Sequence, residues 1–388
     1  MAHPPIYLDY HATTPVDPRV WRAMEPYFTA RFGNPASNSH QFGWEAAKAV
    51  QRARQQVAAL IGAEAREIVF TSGATESNNL AIKGIADRHR RHGGGRAPHV
   101  VTTTIEHSAV LDPCERLEGE GFEVTRLGVG RDGRIDLGEL ERALRAETIL
   151  VSIMAANNEI GVVQDMIGIS GITRPRGIVL HTDATQAVGK IPVDVGAWQV
   201  DLLSLSGHKM YGPKGVGALY VKTGTPLCCQ LDGGGHERGF RSGTLNVPGI
   251  VGLGEAAEVA RAELAQESVR IAGLRDRLRE RILAGLEGVV VNGSLAHRVP
   301  HNLHLTFAGV DAETLMMSMT DVAVSSGSAC TSAARSASHV LIAIGLSDDE
   351  AHRSLRFGLG RFTTEEEIDR AAERVIEAAS QLRDLKSL

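Results

Sequence analysis

The sequence predicts an α/β protein built on a mainly parallel sheet, with a second, smaller α/β lobe toward the C-terminus. Three observations carry that expectation. Short apolar runs recur along the first two thirds of the chain and alternate with segments of helical periodicity. Five of those runs end in polar, chemistry-bearing groups, near Thr75, His107, Asn158, Asp183 and Lys209. The pattern then changes beyond a long helical stretch that runs from Leu253 to Leu286. At 388 residues the chain is long for one domain and suits a large and a small lobe.

In chain order, Ile6–Tyr10 reads as a short strand with His11-Ala12-Thr13-Thr14 as its polar exit. Asp17-Pro18 starts a helix, with proline near the first turn. From Phe42 to Ile61 apolar residues recur at helical spacing, and Gly62 is a fitting stop. Glu67–Thr71 is a strand, followed by the small-residue turn Ser72-Gly73-Ala74-Thr75 and a helix. Free N–H groups at that helix start form an anion site, although the same residues also make an ordinary N-cap.

Val100–Thr104 leads to Glu106-His107, Thr148–Met154 to Asn157-Asn158-Glu159, and Ile178–Asp183 to Ala184-Thr185-Gln186. Val200–Leu205 reads as a buried strand that runs into Ser206-Gly207-His208-Lys209, a tight turn. There His208 and Lys214 are cationic neighbours that favour a neutral, nucleophilic amine on Lys209. That turn is not a P-loop, because no Ser or Thr follows the lysine at the required spacing. Gly252-Leu253-Gly254-Glu255-Ala256-Ala257 matches a weak dinucleotide pattern and is set aside, since it lies inside the long helical stretch.

In open α/β sheets, ligands bind beyond the carboxyl ends of the strands. An anion site, a strand-end acid and a strand-end lysine converging there fit pyridoxal phosphate, which needs a Schiff-base lysine and a partner for its ring nitrogen.

In the C-terminal part, Val289–Val291 and Leu303–Phe307 read as strands, and Asp311–Met319 and Ser347–Leu355 as helices. Thr364-Glu365-Glu366-Glu367 opens a last helix with the acidic first turn that the dipole favours. Between them, residues 325–335 are small and polar and carry Cys330, which reads as an accessible, reactive thiol. Cys114 reads as packing, and Cys228 and Cys229 receive no role. Arg356, amid apolar residues, calls for an anion such as a substrate carboxylate.

A net charge of −5 argues against a general nucleic-acid or membrane binder. No apolar run approaches the roughly 20 residues of a membrane span. No N-terminal signal pattern is present, and a cytoplasmic protein is expected.

The motifs Phe32-Gly33-Asn34-Pro35, Thr71-Ser72-Gly73-Ala74-Thr75-Glu76-Ser77, Asn157-Asn158-Glu159-Ile160-Gly161, Asp183-Ala184-Thr185-Gln186, Ser206-Gly207-His208-Lys209, Arg241-Ser242-Gly243-Thr244 and Ser326-Gly327-Ser328-Ala329-Cys330-Thr331-Ser332 carry a likeness that runs almost end to end. The chain resembles the cysteine desulfurases of the IscS/NifS type. That likeness implies a fold-type I pyridoxal-phosphate enzyme with a mainly parallel seven-stranded sheet, acting as a homodimer. It implies a large domain over residues 17–262. Residues 1–16 and 263–388 form the small domain, with the cysteine loop at about 325–339.

By the same resemblance, Lys209 forms the Schiff base and Ala74, Thr75, Ser206 and His208 bind the phosphate. Thr244 reaches the cofactor of the other subunit. His107 stacks on the ring and shuttles protons, Asp183 pairs with the ring nitrogen, and Gln186 touches the ring oxygen. Asn158 and Arg356 hold the carboxylate of L-cysteine. Cys330 accepts sulfur as a persulfide and serves as a candidate transient iron–sulfur ligand. The expected sulfur acceptor is an iron–sulfur scaffold or another carrier. A selenocysteine lyase or aminotransferase on the same fold is the alternative. Three departures stand out: the chain stops soon after the last helix, residues 168–177 are short for the family, and Ala334-Arg335-Ser336-Ala337 replaces the usual acid–proline turn.

Overall fold

The computed structural model describes residues 5–92, 97–326 and 337–387. Among these the strands are β1 (Ile6–Tyr7), β2 (Ile68–Thr71), β3 (His99–Thr103), β4 (Glu123–Leu127), β5 (Thr148–Ser152), β6 (Val179–Asp183), β7 (Leu202–Ser206), β8 (Gly217–Val221), β9 (Val289–Val291), β10 (Asn302–Phe307), β11 (Val322–Ala323) and β12 (Ser354–Gly358). Seven of them form one sheet in the order β2-β8-β7-β6-β5-β3-β4. Only β8 is antiparallel to its neighbours there, so the other six run the same way.

Adjacent residues of these strands point to opposite faces, and both faces are covered. Val101, Val151, Leu203 and Tyr220 join one core with the helices Gln41–Ile61 and Val247–Gly285. Val100, Leu150, Leu202 and Leu219 join a second core with the helices Ala74–His92 and Ser108–Gly119. Cys114 is fully buried in that second layer, and burial pushes its thiol up to about 12, so it packs rather than reacts. This is the doubly covered, mainly parallel sheet that the alternation of runs predicts.

The helix Val247–Gly285 links the two lobes. Val247, Ile250, Leu253, Ala256 and Ala260 belong to the large core, while Ile271, Leu274, Leu278 and Ile282 belong to the core of the second sheet, β12-β10-β9. A Cβ on Gly254 would stand 2.5 Å from Cα of Ala53, so the bare glycine lets this helix lie directly on the Gln41 helix. The glycines of the weak dinucleotide pattern therefore serve helix packing. A lobe boundary near residue 262, inside this helix, remains our proposal.

One expectation in the small lobe changes. The helix expected over Ser347–Leu355 covers Asp348–His352 only, capped by Ser347 and Glu350, and Leu355 lies in β12. Pairing of Leu355 with Leu305, and of Arg356 with His304, overrides the local helical pattern.

The loop that carries Arg241 and Thr244 is fixed by strained residues. Glu237 and Arg238 have φ of 47° and 56°. Glu237 is held by a buried fork from Arg54 at 2.6 and 2.7 Å and by Phe70 N–H at 2.8 Å. These contacts tie the loop to β2, the strand that leads to the anion site.

Candidate active site

The strand ends open onto one cavity of about 880 Å³. Ala74, Thr75, His107, Asn158, Asp183, Gln186, Ser206, His208, Lys209 and Arg356 all line it. Thr244 is exposed and does not line the cavity. Cys330 lies outside the described residues.

At one end, β2 exits through Gly73 at φ 152°, a conformation suited to glycine, into the helix Ala74–His92. A Cβ on Gly217 would come within 2.7 Å of Gly73 Cα, so Gly217 must stay bare for β8 to pass this turn. The first helical turn presents backbone N–H groups and a positive dipole end. Ser206 and His208 face it from the end of β7. Burial, with Lys209 and Lys214 nearby, lowers His208 to about 4, so at neutral pH its ring is uncharged. His208 Nδ1 lies 3.1 Å from Thr13 Oγ1. Arg241, in the cationic loop, bonds Glu76 of that first turn at 2.8 Å and neutralises it.

In the middle, Asp183 ends β6 with both oxygens accepting, from Asn78 Nδ2 at 2.7 Å and Thr185 N–H at 2.9 Å. Glu106 is buried nearby. Burial pushes it up to about 8 despite bonds from Met154 N–H and Thr103, and Asp183 adds to the rise. Glu106 is thus largely neutral at pH 7. His107 caps the helix Ser108–Gly119, its Nδ1 accepting from Ala109 N–H at 3.0 Å. The neutral ring therefore carries its proton on Nε2. Gln186 bonds the buried His11 ring at 3.1 Å and also its carbonyl.

Lys209 Nζ donates to the carbonyl of Ala12 at 2.8 Å and to that of His11. Backbone carbonyls accept from the amine in either protonation state, so a neutral, nucleophilic Lys209 remains our proposal. The carbonyls that hold it belong to residues almost 200 positions away, 198 and 197 in the two bonds.

At the other end, the Arg356 guanidinium of β12 bonds Asp9 Oδ1 at 2.9 Å and Asn158 O at 2.8 Å. Ser325 bridges Arg356 through their backbones, so the segment that leads toward Cys330 starts on this wall. The described residues after Cys330 return to the same cavity. Ser338 Oγ bonds Glu159 Oε2 at 2.5 Å, and His339 Nε2 bonds the Glu106 carbonyl at 3.0 Å.

Glu159, His339 and His11 line the site and were missed by sequence reasoning. Glu159 could have been found, because it completes the Asn157-Asn158-Glu159 turn. His339 carries no such signal.

Three comparisons bear on identity. The model of the class-V aminotransferases matches residues 6–371. A cysteine desulfurase IscS of Anaeromyxobacter sp. (strain Fw109-5) is 60% identical over 386 residues, covering 99% of this chain and 95% of the relative. The chain belongs to the class-V aminotransferases, among their cysteine desulfurases. A solved NifS-like protein superposes with a TM-score of 0.90 at 36% identity, over 97% of this chain and 100% of that one. SspA, solved in complex with cysteine, gives 0.82 at 38% identity, over 92% and 100%.

Cysteine desulfurases of this family are fold-type I pyridoxal-phosphate enzymes, and the residues of this cavity fit that cofactor. Among the buried polar atoms without a partner in the described residues are Asn78 Oδ1, Thr185 Oγ1, Asn158 Oδ1 and Arg356 Nε. Unpaired buried polar atoms are costly and rare, and here four of them sit on or beside one cavity wall. The helix N-terminus suits a phosphate, Asp183 a protonated ring nitrogen and Lys209 a carbonyl carbon. No helix of the described residues is long and apolar enough to cross a membrane.

Proposed function

We propose that this desulfurase removes sulfur from L-cysteine, leaving L-alanine, and carries the sulfur as a persulfide on Cys330. The observation that carries the residue roles is the meeting of Asp183, Lys209, His107 and Arg356 in one cavity. Bound pyridoxal phosphate supplies an electron sink for the substrate's Cα.

Ala74, Thr75, Ser206 and His208 hold the phosphate with the helix N-terminus. Asp183 keeps the proton on the ring nitrogen, and Gln186 orients the ring oxygen. Lys209 holds the cofactor, and its Nζ takes and returns the proton at Cα. His107 presents Nε2–H to the cavity as a proton donor. Asn158 and Arg356 hold the substrate carboxylate and so fix the orientation of its thiol.

Cys330 thiolate attacks the substrate sulfur. An S–S bond forms, the C–S bond breaks with its electron pair left on carbon, and a proton completes the methyl group of alanine. Thr244, exposed and away from this chain's own cavity, serves the phosphate of a second copy, which makes the active unit a homodimer. A cytoplasmic enzyme that delivers sulfur to an iron–sulfur scaffold or another acceptor protein completes the reading. Cys330 then acts as a transient cluster ligand.

The test is incubation of the holoenzyme with L-cysteine and an external thiol, with alanine and sulfide measured together. Equal amounts of the two are expected. Cys330→Ala is expected to lower sulfide release at least about 100-fold while keeping the cofactor's visible band. A keto-acid product, or an unchanged rate in Cys330→Ala, would favour an aminotransferase or a lyase that needs no enzyme thiol.

A further inference from the structure

Glu159 is a buried carboxyl on the cavity wall, beside the proposed carboxylate-holding pair, and it has no part in the mechanism above. Its surroundings leave little room for a second negative charge. From β12 it faces Arg356, which already bonds the Asp9 carboxylate. From the start of the Ser108 helix it faces His107, whose ring, when protonated, pulls the Glu159 acid down. Ser338 Oγ bonds its Oε2, and Asn302 Nδ2, which also lies 3.1 Å from the His11 ring, bonds its backbone oxygen. His339 follows Ser338 and bonds the carbonyl of Glu106.

Arg356 and Asp9 therefore already form an ion pair before substrate arrives. An ionised Glu159 followed by a substrate carboxylate would set three anions against Arg356. A neutral Glu159 leaves Arg356 Nε, a buried donor without a partner, to the incoming carboxylate.

We propose that Glu159 serves this site as a neutral carboxylic acid and that loss of its proton sets the alkaline limit of substrate binding. The proposal rests on the desulfurase reading, with Asn158 and Arg356 as the carboxylate holders. Burial is the largest influence on Glu159 and pushes it up to about 7, while the Ser338 bond, Arg356 and a protonated His107 pull it down. The acid is thus protonated below that value, and affinity falls as pH rises through it.

The experiment titrates L-alanine into the holoenzyme, followed by the cofactor's visible absorbance, in wild type and Glu159→Gln. The amine of L-alanine titrates in both proteins, so the ratio of the two affinities is read. That ratio is expected to move roughly tenfold in favour of the variant between about pH 6 and about pH 8. Ser338→Ala removes a bond that favours the ionised acid, so it is expected to shift the wild-type limit to higher pH, opposite to what general damage would do.

A ratio that stays constant with pH, or a limit that moves down in Ser338→Ala, overturns the proposal while leaving the desulfurase reading intact. Should L-alanine bind neither protein at any pH, and L-cysteine yield no alanine, the substrate reading falls and this proposal with it. If Glu159→Gln does not fold, the direction of the Ser338→Ala shift decides alone.

Discussion

Lys209→Ala is expected to lower L-cysteine turnover by roughly 10⁴-fold or more, with little change in folding stability. Lys209 both holds the cofactor and moves the Cα proton, and groups that act in covalent and acid–base steps are each worth several orders of magnitude. Of the other lysines, Lys214 also lines the cavity, and Lys190 is buried over the Tyr211 ring, 4.2 Å from its centroid. The fold should tolerate the change. The lysine bonds the backbone carbonyls of His11 and Ala12, which border the cavity and can take up water instead. The check is steady-state alanine formation beside a urea unfolding curve. A tenfold loss or less would remove Lys209 from the chemistry.

Asp183→Asn is expected to cost about 100- to 1,000-fold in turnover and to weaken cofactor retention. The side chain keeps its shape, so packing is spared. Its charge is lost, and with it the group that keeps a proton on the cofactor's ring nitrogen. Glu106 cannot stand in, because burial holds it largely neutral near pH 7. The local hydrogen bonding also suffers. Asp183 accepts from Asn78 Nδ2 and from Thr185 N–H, whereas an amide offers one oxygen and would turn an NH₂ group toward the other donor. Turnover and bound cofactor per chain, measured together, separate the two effects. Full activity in Asp183→Asn would show that the ring nitrogen takes its proton from elsewhere.

Most of the large sheet was legible in the sequence because its central strands are buried on both faces and read as apolar runs, with the polar residues gathered at one end. Ser206-Gly207-His208-Lys209 and Asp183-Ala184-Thr185-Gln186 stood out for that reason. The half-exposed edge strand β4, Glu123-Val124-Thr125-Arg126-Leu127, gave no such run and was missed. What the sequence hid is contact between distant segments. The carbonyls of His11 and Ala12 hold Lys209, Asp9 holds Arg356, and Asn302 ties His11 to the Glu159 backbone. None of these leaves a local pattern. The helix expected through Leu355 failed for a related reason. The apolar positions of residues 354–358 serve strand pairing with β10, a partner that lies 48 residues earlier at Thr306 and Ser354. Cys330 stands out in the sequence by its small, polar neighbours, and it lies outside the described residues.

The whole scheme depends on Lys209 being the residue that binds the cofactor. Holoenzyme reduced with borohydride, digested and mapped by mass spectrometry tests this directly. The expected result is the reduced cofactor's mass on the peptide that contains Lys209, with Lys190 and Lys214 unmodified. Cofactor fixed to either of those two lysines, or to none, would contradict it.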